Sequence, residues 1–184
     1  MPAAEYHESA DPRRIMAALA MTGRQMVAII LCVLLNALDG FDVLAISFAS
    51  PGIAAEWHID RAALGIVLSM ELFGMAAGSV VLGQVADRIG RRATAMICLV
   101  VMALGMLSTT QVGSIQALAL TRMITGLGIG GMLATTNALV AEYANDRWRA
   151  TAVAIMAAGY PLGAITGGAI AAHLLATGGW RDVF

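Results

Sequence analysis

The sequence predicts an all-α membrane protein, and three observations carry that expectation. First, the 184 residues are 59% hydrophobic and 12% charged, with a mean hydropathy of +0.79. Soluble domains carry roughly 25% charged residues. Second, the apolar residues gather in five runs, near 25–49, 63–86, 93–110, 116–140 and 150–175. A helix that crosses a bilayer needs roughly 20 such residues. Third, all 11 basic residues are Arg, and they are unevenly placed. With the N-terminus inside, the inner connections hold Arg13, Arg14, Arg24, Arg88, Arg91, Arg92, Arg147 and Arg149, and the outer ones only Arg61 and Arg181. That asymmetry is the positive-inside pattern, and it predicts a cytoplasmic N-terminus in a plasma membrane.

Taken in order, residues 1–12 are polar and contain prolines, which reads as disorder. Residues 13–24 read as a short interfacial helix with Ile15, Met16 and Leu19 towards lipid. Residues 1–24 thus form a cytoplasmic tail, and 25–184 a transmembrane bundle. The first apolar run begins too late, and is too long, for a cleaved signal peptide. It contains Asn36, Asp39 and Asp42, and the second run contains Glu71, Gly74 and Gly78. The uncharged stretch 93–121 is too long for one helix. Gln111, Gly113, Ser114 and Gln116 mark a turn inside it. The fourth run carries Arg122 and a glycine cluster. The fifth has no charge between 150 and 180. In it Pro161 predicts a kink, and Gly159, Gly163 and Gly167 form a face for close helix packing. His173, near the outer end, reads as structural. Trp180 and Arg181 are residues that announce a span at an interface. They predict the start of a sixth helix, and hence the N-terminal part of a longer protein.

Composition also excludes classes of function. A net charge of −1 offers no bulk attraction to nucleic acid. Cys32 and Cys98 both lie in apolar runs and read as small hydrophobes, not as a disulfide or metal pair. No nucleophile–base pair, metal cluster or nucleotide loop is legible, so neither an enzyme nor a cofactor is expected. The G-x-G-x-G-G run at 126–131 has no preceding strand, which disqualifies it as a dinucleotide fingerprint.

The densest signal is the stretch G-Q-V-A-D-R-I-G-R-R at 83–92, between the second and third runs. Gly83, Asp87, Arg88, Gly90, Arg91 and Arg92 fill every position of a pattern that resembles the signature loop of the major facilitator superfamily of secondary transporters. The resemblance covers residues 25–184. It implies the N-terminal six-helix half of a twelve-helix fold, with five full spans and the start of a sixth. The missing C-terminal half would be its partner in the bilayer. The resemblance further implies that Arg88 and Arg92 pair with nearby carboxylates in a cytoplasmic gate. Glu142, Tyr143 and Arg149 resemble a second family stretch, E-Y-x-P-x-x-x-R. Here Asn145 replaces the proline, which implies a less rigid turn. A solvated cluster that only sets topology is the competing reading of Arg147.

Charges inside spans cost about 2.5–3.5 kcal/mol each on insertion scales, so they mark candidate sites. Asn36, Asp39 and Asp42 are three apart and form one slanted polar stripe. Two carboxylates this close disfavour joint ionisation, and a carboxyl that can hold a proton is what proton coupling requires. The competing reading has Asp42 capping a helix broken at Gly40, or both acids near the outer interface. The tetrad Asp39-Gly40-Phe41-Asp42 resembles the first-helix signature of the aromatic acid:H⁺ symporters, a branch of the superfamily that imports aromatic carboxylates with protons. By that resemblance Arg122 faces the same cavity and pairs with Asp39 or with a substrate carboxylate. Snorkelling to the outer interface is the alternative. Gly126 and Gly130 read as packing residues. Glu71 either titrates in the cavity or sits against a neighbouring helix.

The expected function is proton-coupled symport of a small organic acid, an aromatic one by the resemblance, with Asp39, Asp42, Arg122 and Glu71 as the coupling and substrate residues. Two alternatives remain open at this level. One is a superfamily transporter for sugars, nicotinate-like acids or another metabolite. The other is a non-transporting membrane receptor or assembly subunit.

Overall fold

The computed structural model describes residues 21–184, so the expected tail at 1–12 and most of the interfacial helix at 13–24 lie outside the described residues. Five long helices follow: α1 (Gly23–Trp57), α2 (Arg61–Ile89), α3 (Arg91–Thr109), α4 (Ile115–Tyr143) and α5 (Arg149–Thr177), then a 3₁₀ turn at Trp180–Val183. All five are long and apolar enough to cross a membrane. Large side chains such as Leu34, Phe73 and Ile165 stand exposed on the outside of the bundle, where lipid tails would solvate them. No strand occurs among the described residues.

α1 starts two residues before the expected bundle boundary. The Thr22 hydroxyl accepts from the Gln25 N–H, and the Gln25 side chain accepts from the Thr22 N–H in return. The Gln25 side chain also donates to the Tyr143 carbonyl at 2.9 Å, tying the start of α1 to the end of α4. α1 then runs unbroken for 35 residues, through Gly40 and Pro51. At about 1.5 Å per residue that is about 50 Å, so its outer turns project past a hydrocarbon core about 30 Å thick. The reading of Asp42 as the cap of a broken helix is therefore corrected: Gly40 lies in continuous helix. It is there because α5 comes too close for a side chain, and a Cβ would strike the Tyr160 carbonyl.

Two helix pairs organise the bundle, and both rest on glycine. On α2, Gly74 and Gly78 lie against the Met123 and Leu127 carbonyls of α4. On α4, Gly126 and Gly130 lie against the Glu71 and Met75 carbonyls of α2. The contact is backbone on backbone in both directions, which is how small-xxx-small faces associate where lipid removes the hydrophobic drive. Gly159, Gly163 and Gly167 of α5 pack likewise on Val33, Ala37 and Phe41 of α1. The expected packing role of all these glycines holds. α5 remains helical through Pro161.

Only Gly90 separates α2 from α3, with φ at +93°. A side chain is strained in that conformation by about 1–3 kcal/mol. Gly90→Ala should lower the stability of the purified chain by that amount, read from thermal unfolding in detergent. An unchanged midpoint would show that the link relaxes.

At the C-terminal end of α1, the 3₁₀ turn is latched to that helix. The Trp180 indole N–H donates to Glu56 Oε2 at 2.7 Å, and Arg181 Nη1 donates to the same oxygen at 2.8 Å. Trp57 meets Trp180 edge to face at 5.5 Å. Trp180, Ile53, Leu64 and Leu118 belong to one buried apolar cluster beneath this latch. The expected start of a sixth helix is thus a short 3₁₀ turn in the described chain.

Candidate functional site: an ion cluster inside the bundle

Arg122 lies about two turns into α4, where a guanidinium must find partners or reach water. It has no solvent exposure at all, so snorkelling is excluded. Its position on α4 is set by the glycine face. Arg122, Gly126 and Gly130 are four apart, so the residue that continues this ridge towards the start of α4 is the arginine itself. The matching ridge on α2 continues from Gly78 and Gly74 to Glu71. The close approach of the two helices therefore presses Glu71 and Arg122 together.

The geometry is a two-edged grip. Arg122 Nε donates to Glu71 Oε2 at 3.2 Å, and Nη2 donates to Glu71 Oε1. Nη1 and Nη2 both donate to Asp42 Oδ1 at 3.3 Å, and Nη2 also donates to the Asp42 backbone carbonyl at 2.9 Å. Nη1 reaches Met106 Sδ of α3 at 3.4 Å. The Phe184 ring lies 5.6 Å from the guanidinium carbon, within cation–π range. Glu71 and Asp42 are 1% and 3% exposed. One cation thus faces two carboxylates, and full ionisation would leave a surplus negative charge in a site without water contact.

Asp39 is not among Arg122's partners, which corrects the expected Arg122–Asp39 pair. It lies one turn closer to the N-terminal end of α1, is 1% exposed, and neither carboxyl oxygen accepts a hydrogen bond from any described residue. Next along the stripe, Asn36 donates from Nδ2 to the Met156 carbonyl of α5 at 2.6 Å. The stripe Asn36–Asp39–Asp42 is therefore real, but its members divide. Asn36 ties α1 to α5, Asp42 ties α1 to α4, and Asp39 between them is left with no partner. Glu71, ambiguous in the sequence, is a full member of the cluster.

At the end of the bundle where α2 meets α3, Arg91 Nη2 bonds Asp87 Oδ1 at 2.8 Å, and its Nε approaches Glu142 Oε1 at 3.6 Å. The expectation for Arg88 and Arg92 is corrected. Neither forms an ion pair among the described residues, and it is Arg91 that connects the two loops. Across the single-residue break at Gly90, Asp87 and Arg91 remain four apart, which keeps them adjacent. Arg92 instead lines an apolar crevice of about 340 Å³ with Leu35, Met96 and Tyr143. Gly83 faces Ala134 at ordinary van der Waals distance. Arg149 bonds Asp146 at 2.9 Å and donates to the Ala141 carbonyl. Asn145 does not leave a slack turn. Its side-chain oxygen accepts from the Trp148 N–H at 3.0 Å, and its carbonyl accepts from Arg149, opening α5. Arg147 lies over the Trp148 ring. Cys32 and Cys98 are free and buried. No group of acidic, His or Cys side chains among the described residues is arranged to hold a metal.

Chemically, the cluster can bind and release charge. It places a two-edged guanidinium, two competing carboxylates and a third, unpartnered one within a few helical turns.

Comparison with known proteins places this geometry. The sequence profile of the Major Facilitator Superfamily matches residues 29–184. The chain is 32% identical over 176 residues to the 4-hydroxybenzoate transporter PcaK of Pseudomonas aeruginosa, covering 96% of this chain and 39% of that protein. It is 33% identical over 159 residues to the gallate transporter of Pseudomonas putida, covering 86% of this chain and 35% of that one. The chain thus spans well under half the length of these curated relatives. Among solved structures, the xylose transporter XylE from E. coli, inward open, superposes with a TM-score of 0.74 at 20% identity, over 86% of this chain and 44% of that one. That likeness concerns the fold alone. The relatives are named as transporters, not as enzymes. Five membrane-length helices, interlocked by glycine around an intramembrane arginine, and a profile match running from α1 to Phe184 lead to one assignment: this chain is an integral membrane protein belonging to the Major Facilitator Superfamily.

Proposed function

We infer that the chain is the N-terminal half of a secondary transporter that imports a small aromatic carboxylate together with protons. The observation that carries this reading is Asp39. An ionised carboxylate without a hydrogen bond or counter-ion is very costly to bury, whereas its neutral acid is not. A buried acid of this kind, one turn from an aspartate that a guanidinium already engages, is a natural carrier for a coupled proton. The relatives named for 4-hydroxybenzoate and gallate support an aromatic acid as the class of substrate. The arginine asymmetry supports a cytoplasmic N-terminus, in the inner membrane of a bacterium. Asp87, Arg91, Glu142 and Arg149 would hold the cytoplasmic rim, joined by the second helical half that this chain would need to complete a cavity.

The test is uptake by the complete transporter in proteoliposomes, against radiolabelled aromatic and aliphatic acids at two external pH values. Uptake of aromatic acids that rises as the outside is acidified is the expected result. Transport of sugars alone, or uptake indifferent to a pH gradient, would overturn the reading.

A further inference from the structure

Asn36 ties α1 to α5, but only one end of its amide is used. The Met156 carbonyl can only accept, so it is Nδ2 that faces it, at 2.6 Å. Oδ1 therefore points away from that carbonyl. There it is buried and accepts from no described residue. Both carboxyl oxygens of Asp39 are in the same condition, one turn further along the same face of α1. Among the described residues, the buried side-chain oxygens and nitrogens left without a hydrogen bond are these three atoms. They belong to two side chains three residues apart. All three are acceptors. Buried acceptors without a donor are costly, and one proton changes the balance. Bound to Asp39, it turns an acceptor into a donor and gives Asn36 Oδ1 a partner.

We propose that Asn36 is the positioning residue for the coupled proton: its Oδ1 accepts the hydrogen bond that protonated Asp39 donates, and its bond to Met156 holds that oxygen in place. This rests on the reading of Asp39 above and names the group that stabilises its loaded form. The charged and titratable groups around the Asp39–Asp42 stripe come from every neighbouring helix. They are Asp42 on α1 itself, Glu71 on α2, Cys98 on α3, Arg122 on α4 and Tyr160 on α5. None of them donates to Asp39. Arg122 is taken up by Glu71 and Asp42. Asn36 differs from them all in that its oxygen is an acceptor at every pH. A hydrogen bond that forms only with the neutral acid favours that form, so the amide helps Asp39 to load its proton.

The experiment is the pH profile of 4-hydroxybenzoate uptake by the complete transporter at fixed internal pH, for wild type, Asn36→Leu and Gly163→Ala. Asn36→Leu should need an outside about one pH unit more acidic to reach half-maximal uptake, as loss of one hydrogen bond to the protonated acid requires. Gly163→Ala is the structural control. Its Cβ would strike the Ala37 carbonyl, so it loosens the same seam between α1 and α5 without touching the amide. It should lower the rate and keep the wild-type midpoint. An Asn36→Leu midpoint equal to wild type overturns the proposal. So does one moved towards neutral pH, which would mean that the amide serves the ionised acid, and so does an equal shift in Gly163→Ala. Should either variant fail to insert, wild type decides by infrared difference spectra between acid and neutral pH. The carboxyl band that Asp39→Asn removes should rise together with a shift of an amide band that isotope-labelled asparagine identifies. No asparagine band moving with that proton overturns the proposal. If wild-type uptake is indifferent to pH, or Asp39→Asn still accumulates substrate under a gradient, the reading of Asp39 falls and this one falls with it. A pH-driven wild type with an unmoved Asn36→Leu midpoint removes Asn36 alone.

Discussion

Asp39→Asn should abolish pH-driven accumulation in the complete transporter while sparing exchange of substrate across the membrane. Asn has nearly the shape of the neutral acid, so the bundle should keep its packing, but it cannot take up or release a proton. For one proton per anion, each unit of pH gradient is worth about 1.36 kcal/mol, or about tenfold accumulation. In the variant this should fall to equality inside and outside. Counterflow into vesicles preloaded with substrate needs no net proton movement and should continue. The measurement is the accumulation ratio under an imposed gradient, beside counterflow. Wild-type accumulation by Asp39→Asn would remove the proposed role and leave Glu71 as the next candidate.

Arg122→Met should be the most destabilising single change in the described chain. It strips the counter-ion from Glu71 and Asp42, both almost without solvent exposure. Breaking a buried pair by removing one partner costs about 3–5 kcal/mol, because the survivor is left uncompensated. The same principle supplies a control. Adding Asp42→Asn and Glu71→Gln to Arg122→Met neutralises the site and should return most of the lost stability, without restoring transport. Arg122→Lys should insert yet transport poorly, because an ammonium cannot grip two carboxylates along two edges. Thermal unfolding in detergent, followed by Trp57 and Trp180 fluorescence, reads the stability arm. A single Arg122→Met variant as stable as wild type would mean that the cluster is not held together by charge.

The helices were legible because hydropathy acts over lengths of about 20 residues and tolerates isolated charges. All five apolar runs became helices, although α1 extends well past its expected end at 49. The partner of Arg122 was harder to read. Asp39 and Asp42 lie only about 60° apart around α1, since three residues turn through about 300°. Which of them meets α4 depends on the crossing of the two helices, and hydropathy does not encode that. Glu71 was more accessible than it first seemed. It shares a ridge with Gly74 and Gly78, while Arg122 shares one with Gly126 and Gly130. Two glycine ridges that mate must bring the charged residues at their N-terminal ends together. At the rim, the loop motif located the charges, but one residue of helical phase decided that Arg91, and not Arg88 or Arg92, faces Glu142.

That rim has a mechanical consequence. α2 and α3 are joined by Gly90 alone, and Arg91 reaches back to Asp87 on α2 and across to Glu142 on α4. Three helices are thus riveted at a single corner, while α2 and α4 also mesh backbone to backbone along their length. A linkage with so little slack does not bend internally. In the proposed transporter, a rocking motion would carry α2, α3 and α4 together as one lever, with its flexure sited outside that corner.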